Sequence, residues 1–256
     1  MNLKNLLHKN KNNFSLYGSG TCIRSDAQMQ LVNKEEADKA FNACKKEILN
    51  PYLKTKGFHT WKGKAYVRLS DTGLLEYMDL QKERYGSKTF TVNIALMPIY
   101  APSEGYMCIG FGGRLGEFVC GKDFWWDYKD ADTAKKSFAN VAEAIGQFAI
   151  PWFEKYDDGA AYTESLKKSE FGWGYPNVEW ATYYYLKNGG KEAAKSFLNE
   201  YCLTLEKGKD EKRKTFQRRE TQRMLDEIEK IQDVEEHLRT VAEGNVAAWK
   251  LPKSVV

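Results

Sequence analysis

The feature that most constrains this chain is a period-two alternation of apolar and polar residues between Lys64 and Met97, broken twice by turn sequences. Successive side chains of a strand point to opposite faces, so such alternation specifies half-buried strands. Lys64 to Leu69, Leu74 to Arg84 and Lys88 to Met97 form three such runs. Asp71-Thr72-Gly73 and Tyr85-Gly86-Ser87 separate them. Glycine supplies the positive φ that a short hairpin turn requires. Turns this short join only antiparallel neighbours, so the three strands form a β-meander. After a loop over Pro98 to Gly105, Tyr106 to Phe111 extends the pattern as a fourth strand, and Arg114 to Val119 is the candidate for a fifth.

Helical spacing flanks this block. Asn33 followed by Glu36 is a capping-box-like start, and Ala37, Phe41, Cys44 and Ile48 recur at helical intervals until Pro51 and Gly57. Asp132 is placed to cap a second helix whose stripe is Ala134, Phe138, Val141, Ile145 and Phe148, with Pro151 as its stop. A helix from Pro176 through Leu186 ends at Gly189-Gly190, and Lys191 to Leu205 forms its antiparallel partner. No second copy of this hairpin recurs at a fixed period, which excludes a repeat architecture. Asp210 to Glu243 reads as one helix stopped by Gly244, roughly 50 Å long at 1.5 Å per residue. Its apolar side carries Leu225, Ile228, Ile231, Leu238 and Val241, and Glu235 interrupts a strict heptad, which favours packing on the body over a free coiled coil. The expected organisation is an N-terminal arm (1–30), an α+β domain (31–158) and a helical extension (159–256). The fold class is α+β, an antiparallel meander of four to five strands packed against helices.

With 14% aromatic residues in 256, the chain has ample material for a core. The net charge of +4 permits nucleic-acid contact without demanding it. No apolar run approaches the ~20 residues of a membrane span. Met1 to Asn13 is rich in Lys and Asn and lacks the apolar stretch of a signal peptide, so a cytoplasmic protein without membrane contact is expected. In that setting Cys22, Cys44, Cys108, Cys120 and Cys202, odd in number and never at CxxC spacing, read as free thiols. His8, His59 and His237 have no metal-ligand spacing, so neither metal nor cofactor is expected. Gly110 to Gly116 fails the dinucleotide fingerprint because Leu115 stands at its sixth position; it reads as a bulged strand or turn. No GxSxG elbow is present, and Asp157-Asp158 beside Gly159 reads as a turn.

Two features remain as candidate binding surfaces. Along the strands, Val67, Leu69, Met78, Leu80, Phe90, Val92, Ile94 and Leu96 form an apolar set suited to helix packing. Tyr66, Arg68, Tyr77, Asp79, Gln81, Thr91 and Asn93 form the complementary set, which either is simply solvated or grips a ligand or partner. Trp125 and Trp126, adjacent and therefore on different sides, read as anchors or, beside Arg114, as a recognition hot spot. The second feature is the basic run Lys207 to Arg223, where eight basic residues meet Asp210, Glu211 and Glu220. A solvated helix face explains it better than phosphate contact, because only Phe216 is available for stacking.

The pattern Leu53 to Phe58, Tyr66-Val67-Arg68, Gln81-Lys82, Phe90 to Ile94, Arg114-Leu115-Gly116 and Trp125-Trp126 resembles the domain of unknown function family 4304, over about residues 35–152. That family has no established activity, so the resemblance implies a fold block and no function. The residues favour a non-catalytic binding protein that recognises a protein partner, of accessory or immunity type. The alternative is an enzyme or a nucleotide- or anion-binding protein using the polar face, and the weaker alternative is nucleic-acid binding by the basic helix. The candidate binding residues are Arg68, Tyr77, Gln81, Asn93, Arg114 and Trp126. A concave cluster of the arginines and amides favours a small ligand; a flat exposed aromatic patch favours a protein partner.

Overall fold

The computed structural model describes residues 16–17, 34–103, 111–157, 159–167, 176–205 and 211–255. Its centre is the meander: β1 (His59–Trp61), β2 (Ala65–Leu69), β3 (Leu74–Lys82) and β4 (Thr89–Pro98) pair antiparallel in sequence order. β5 (Phe111–Arg114) and β6 (Trp126–Asp127) both pair with β4, on the edge that β3 leaves open. The expected α+β class and antiparallel meander are therefore present. Most of the expected strand Tyr106 to Phe111 lies outside the described residues. The expected strand over Arg114 to Val119 is instead the helix α3 (Leu115–Cys120). Its helical form has a local cause: the Glu117 side chain accepts from the Arg114 backbone N–H at 2.9 Å, and Gly121 closes the helix at φ 76°. Gly112 lies so close to β4 that a Cβ there would sit 2.0 Å from the Ile94 carbonyl oxygen, and a Cβ on Gly113 would sit 2.6 Å from Glu117 Oε2, which together explain the glycine pair of β5.

One face of the sheet is closed by two long helical segments. The first runs from α1 (Lys34–Cys44) through a π-helical turn, Lys45–Leu49, into α2 (Asn50–Thr55). The second runs from α4 (Ala131–Ala144) through a π-helical turn, Ile145–Ala149, into α5 (Ile150–Asp157). Pro151 was expected to end its helix and does not. Pro51 and Pro151 each stand at the second position of the α-segment that follows a π-turn, where the wider turn accommodates a ring and a missing N–H. Asp130, and not Asp132, caps α4, accepting from the Thr133 N–H at 2.8 Å. Between these helices and the sheet Phe90 stacks on Phe138 at 4.9 Å and takes the edge of Phe41 at 5.2 Å.

The remaining helices are α6 (Gly159–Lys167), α7 (Pro176–Leu205), α8 (Glu211–Lys230) and α9 (Val234–Trp249). α7 is broken at Gly190 (φ 72°, ψ −167°). Tyr185 stacks on Phe197 at 5.0 Å, whereas twelve residues of straight helix would separate them by roughly 18 Å. The chain therefore doubles back at Gly190 as the expected hairpin. The single long helix expected over Asp210 to Glu243 is two. Lys191 donates to the carbonyls of Glu229 (2.8 Å) and Ile231 (2.9 Å), which ends α8, and Asp233 caps α9 by accepting from the Glu236 N–H at 3.0 Å. Gly244 lies inside α9, which stops at Lys250 in the left-handed region (φ 55°).

These C-terminal helices join the core of the sheet. Asn245, buried, donates to the carbonyls of Ile99 and Ala101, each at 2.8 Å. Trp61 Nε1 donates to the carbonyls of Trp249 (3.1 Å) and Lys250 (3.0 Å), and Lys187 reaches the Thr72 carbonyl at 2.6 Å. Of the expected N-terminal arm, only Leu16 and Tyr17 are described; the Tyr17 N–H donates to Asn140 at 2.9 Å.

Candidate functional site

Register decides which side chains share a face. Arg68 stands opposite Glu76 and Tyr66 opposite Met78, while Met78 stands opposite Ile94 and Leu80 opposite Val92. Tyr66 and Arg68 therefore lie on the helix-covered face with Ile94 and Val92. Val67 and Leu69 lie on the other, with Tyr77, Asp79, Gln81, Thr91 and Asn93. The sequence reading grouped Tyr66 and Arg68 with the polar set; pairing with β3 reverses that assignment. Arg114 stands opposite Asn93 across the other edge of β4 and shares its face.

The polar face holds a hydrogen-bonded ladder across the two longest strands. The Asn93 amide donates to Asp79 Oδ1 at 3.0 Å and to Gln81 Oε1 at 3.1 Å. Burial pushes the Asp79 carboxyl above its usual range, against the opposing pull of Asn93, Lys64 and the Tyr77 hydroxyl. Tyr77 is buried against Trp61, edge to face at 6.2 Å, and desolvation raises its phenol further. Gln81, Asn93 and Arg114 are half-buried. Arg114 is ion-paired with Asp123 and sits over the Trp125 ring at 5.0 Å, while Trp125 Nε1 donates to the same Asp123 oxygen at 3.0 Å. Gln81, Asn93 and Arg114 thus come together, with Tyr77 buried beside Asp79.

Arg68 and Trp126 do not join them. Arg68 grips Glu76 with two nitrogens, the longer contact 3.0 Å, and covers the Phe58 ring at 4.7 Å. Glu76 is 1% exposed, and burial lifts its carboxyl to a pKa of about 7 despite the guanidinium. Trp126 has no exposed surface: it packs between Phe90 and Phe124 and donates from Nε1 to Asn140 at 2.9 Å. Trp125 is buried as well, at 6% exposure, so neither tryptophan is an exposed hot spot.

Four acidic residues stand outside the candidate set: Asp79, Asp123 and Asp127 at the polar face and its rim, and Glu76 on the covered face. Asp123 and Asp127 sit in a segment whose tryptophans drew the attention. Glu76 stands alone as a carboxylate in a column of Leu74, Met78 and Leu80, and that break in the alternation was its available signal.

The basic run of α8 is largely paired within the described residues. Arg223 contacts Glu179, Glu220 and Glu227; Arg219 contacts Glu220; Lys214 contacts Glu211. Among the described residues no group of three or more His, Cys, Asp or Glu side chains is placed to hold a metal ion. His59 and His237 meet Ser254 and Tyr183. Cys44, Cys120 and Cys202 are free thiols, while Cys22 and Cys108 lie outside the described residues. A shallow groove of about 630 Å³ runs between Asn50–Lys54 and Gly57–Thr60, away from the ladder residues. No described helix is long and apolar enough to cross a membrane.

Residues 49–155 match the model of a family described as a domain of unknown function (DUF4304). The match begins with α2, spans the whole sheet and ends in α5. No curated protein and no solved structure matches the chain.

Proposed function

We propose that this chain is a non-catalytic recognition protein that holds a small polar ligand on the Asp79–Gln81–Asn93–Arg114 face of its sheet. The observation that carries this reading is the Asn93-centred ladder, in which half-exposed amides are fixed on the two longest strands of the sheet by a buried carboxylate. Regular backbone holds such groups far more tightly than loops do, which is the condition for selective recognition. Among the described residues the large exposed apolar side chains are Tyr17, Tyr85, Leu203 and Phe216, set in four separate stretches of the chain, which argues against one flat aromatic docking patch. Both candidate arginines are already matched to carboxylates, which argues against anion capture. The carboxylates around Arg223 likewise argue against phosphate binding by α8.

The test begins with protein isolated from its native host and native mass spectrometry for retained small molecules. Binding is then compared in wild type, Gln81→Ala/Asn93→Ala and Arg218→Gln/Arg219→Gln/Arg223→Gln, all checked for folding by circular dichroism. The expected result is loss of binding in the sheet variant alone. Loss confined to the helix variant, with steep salt dependence, would replace this reading by the nucleic-acid one.

A further inference from the structure

β1 is the outermost strand on its side of the sheet, and the bonding of β2 shows how it is presented. The Ser70 N–H donates to the Leu74 carbonyl at 2.9 Å and the Leu80 N–H to the Lys64 carbonyl at 3.2 Å, so the even-numbered residues of this stretch bond to β3. The odd-numbered Ala65 and Val67 therefore bond to β1, through their partners Trp61 and His59. Thr60, between those two, turns its backbone N–H and C=O away from the sheet. Thr60 is exposed, and with Phe58 and His59 it lines the groove of about 630 Å³ that Asn50, Pro51 and Lys54 of α2 line as well.

The charge around this edge is one-sided. From Lys45 to Arg68 the chain carries six lysines and one arginine against a single acid, Glu47. Arg68 is engaged by Glu76. Lys54, Lys56 and Lys62 are exposed, and none has a carboxylate at ion-pair distance among the described residues. The C-terminal segment adds to the excess: the Lys250 carbonyl accepts from Trp61, Ser254 bonds to His59, and the side chains of Lys250 and Lys253 are exposed. The basic run of α8 differs, because Lys214, Arg219 and Arg223 have acid partners there.

Lysines beside an edge strand keep copies of one protein from pairing there, since each copy brings the same charge. The same arrangement selects for a strand of opposite charge. A nucleic acid is served less well. The rings at this edge, Trp61 and Tyr52, carry Lys62 (4.1 Å) and Lys56 (5.9 Å) over their faces rather than offering a bare platform to a base. We infer that the β1 edge and its groove dock an extended acidic segment of a partner protein. The segment adds a strand beside Thr60 while its carboxylates meet Lys54, Lys56 and Lys62. This surface is separate from the polar-face ligand site and does not depend on it.

The probe is a fluorescein-labelled decapeptide of alternating Glu and Val, read by fluorescence anisotropy. A Glu–Pro decapeptide carries the same charge but lacks every second backbone donor, and decathymidylate represents nucleic acid. Wild type should bind Glu–Val saturably and Glu–Pro roughly tenfold more weakly. The Thr60 amide should gain protection from hydrogen exchange with Glu–Val alone. Lys54→Gln/Lys56→Gln/Lys62→Gln should weaken Glu–Val binding roughly tenfold. Arg218→Gln/Arg219→Gln/Arg223→Gln, which removes the same charge from α8, should leave it unchanged. The three lysines are exposed, so the variant should keep its fold, which circular dichroism checks. Absence of saturable Glu–Val binding overturns the inference and leaves the lysines as guards of the edge. Equal binding of Glu–Val and Glu–Pro, or equal weakening by the two triple variants, overturns it too, because net charge alone then explains the attraction. Tighter binding of decathymidylate, lost in the lysine variant, puts nucleic acid in place of the peptide. Self-association that protects the Thr60 amide without peptide puts a second copy there instead.

Discussion

The two faces of the β3–β4 pair are built from alternate residues of the same strands, yet they are closed in different ways. On one, Met78, Leu80, Phe90, Val92, Ile94 and Leu96 lie under helices, the Arg68–Glu76 pair is sealed in among them with Glu76 at 1% exposure, and Lys82 at the end of β3 pairs with Asp38 of α1. On the other, Leu75, Tyr77, Ala95 and Met97 are buried at one end while Gln81, Asn93 and Arg114 reach solvent at the other. The first face concentrates stability. The second divides along the strand direction, apolar where the C-terminal helices dock and polar beyond them. A charge therefore stands differently on the two faces: on the covered face it is a structural liability matched by a partner, and on the open one it is paired within reach of solvent.

The largest effect expected from this contrast is at Ile94, which has no exposed surface. Ile94→Asp should remove about 4 kcal/mol or more of stability, because an unpaired carboxylate enters an apolar layer. Asn93→Asp, one residue away on the other face, should cost far less. Urea denaturation of both variants measures the difference, and equal losses would break the distinction between the faces.

Next in size is a comparison of two arginines. Arg68→Ala strands Glu76 in the core and should cost about 3 kcal/mol. Arg114→Ala removes a pair whose side chains are 33% and 37% exposed, so solvent screening holds the loss to about 1 kcal/mol or less. A larger loss at Arg114 than at Arg68 would mean that the open face is a structural seam.

These arginines also show how far the sequence carried the fold and the site. Alternation with two short turns identified the meander and the apolar layer of β3 and β4, because a buried face leaves an unmistakable period of two. It did not fix the register of β2 against β3. A shift of one residue exchanges the faces, and β2 offers Tyr66 and Arg68 on one side and Val67 and Leu69 on the other, a pattern nearly neutral between the two choices. Arg68 thus appeared to stand with Gln81 and Asn93 when Glu76 in fact holds it on the covered side. Trp126 misled for a related reason, since tryptophan is equally at home in a core and at an interface. The break at Ile231–Asp233 and the continuation of the helix through Pro151 were hidden because each depends on something beyond local propensity: the Lys191 ammonium on two carbonyls, and a π-turn ahead of the proline.

The pH dependence sharpens the comparison further. The Glu76 carboxyl is raised from 4.5 to about 7 on folding, chiefly by burial. A raised carboxyl favours the folded state while protonated. Its contribution is fully present below pH 4.5, declines as pH rises to about 7, and is absent above. That sets an upper limit of about 3 kcal/mol on the change. Glu76→Gln should flatten this part of the profile, read as the wild-type minus variant difference in unfolding free energy between pH 5 and 8. Asp79, also raised by burial, adds a loss in the same direction, so Asp79→Asn should remove a second part of the slope. A Glu76→Gln protein with the wild-type slope would mean that Arg68 keeps the carboxylate ionised throughout.

The smallest effect is the most specific to the polar face. Thr91 has no exposed surface and its hydroxyl has no hydrogen-bond partner. Valine has nearly the same shape and keeps the β-branch that suits a central strand, so Thr91→Val exchanges an unmatched hydroxyl for a methyl with little change in packing. Removing a buried polar atom that has no partner should stabilise the ligand-free protein by about 0.5–1 kcal/mol. Thr221→Val supplies the internal contrast. Thr221 is equally buried, but its hydroxyl donates to the Gln217 carbonyl at 2.8 Å, so the same exchange there should be neutral or destabilising. Thermal melts of the two variants side by side give the comparison. If Thr91→Val melts below wild type, the hydroxyl is matched by ordered water.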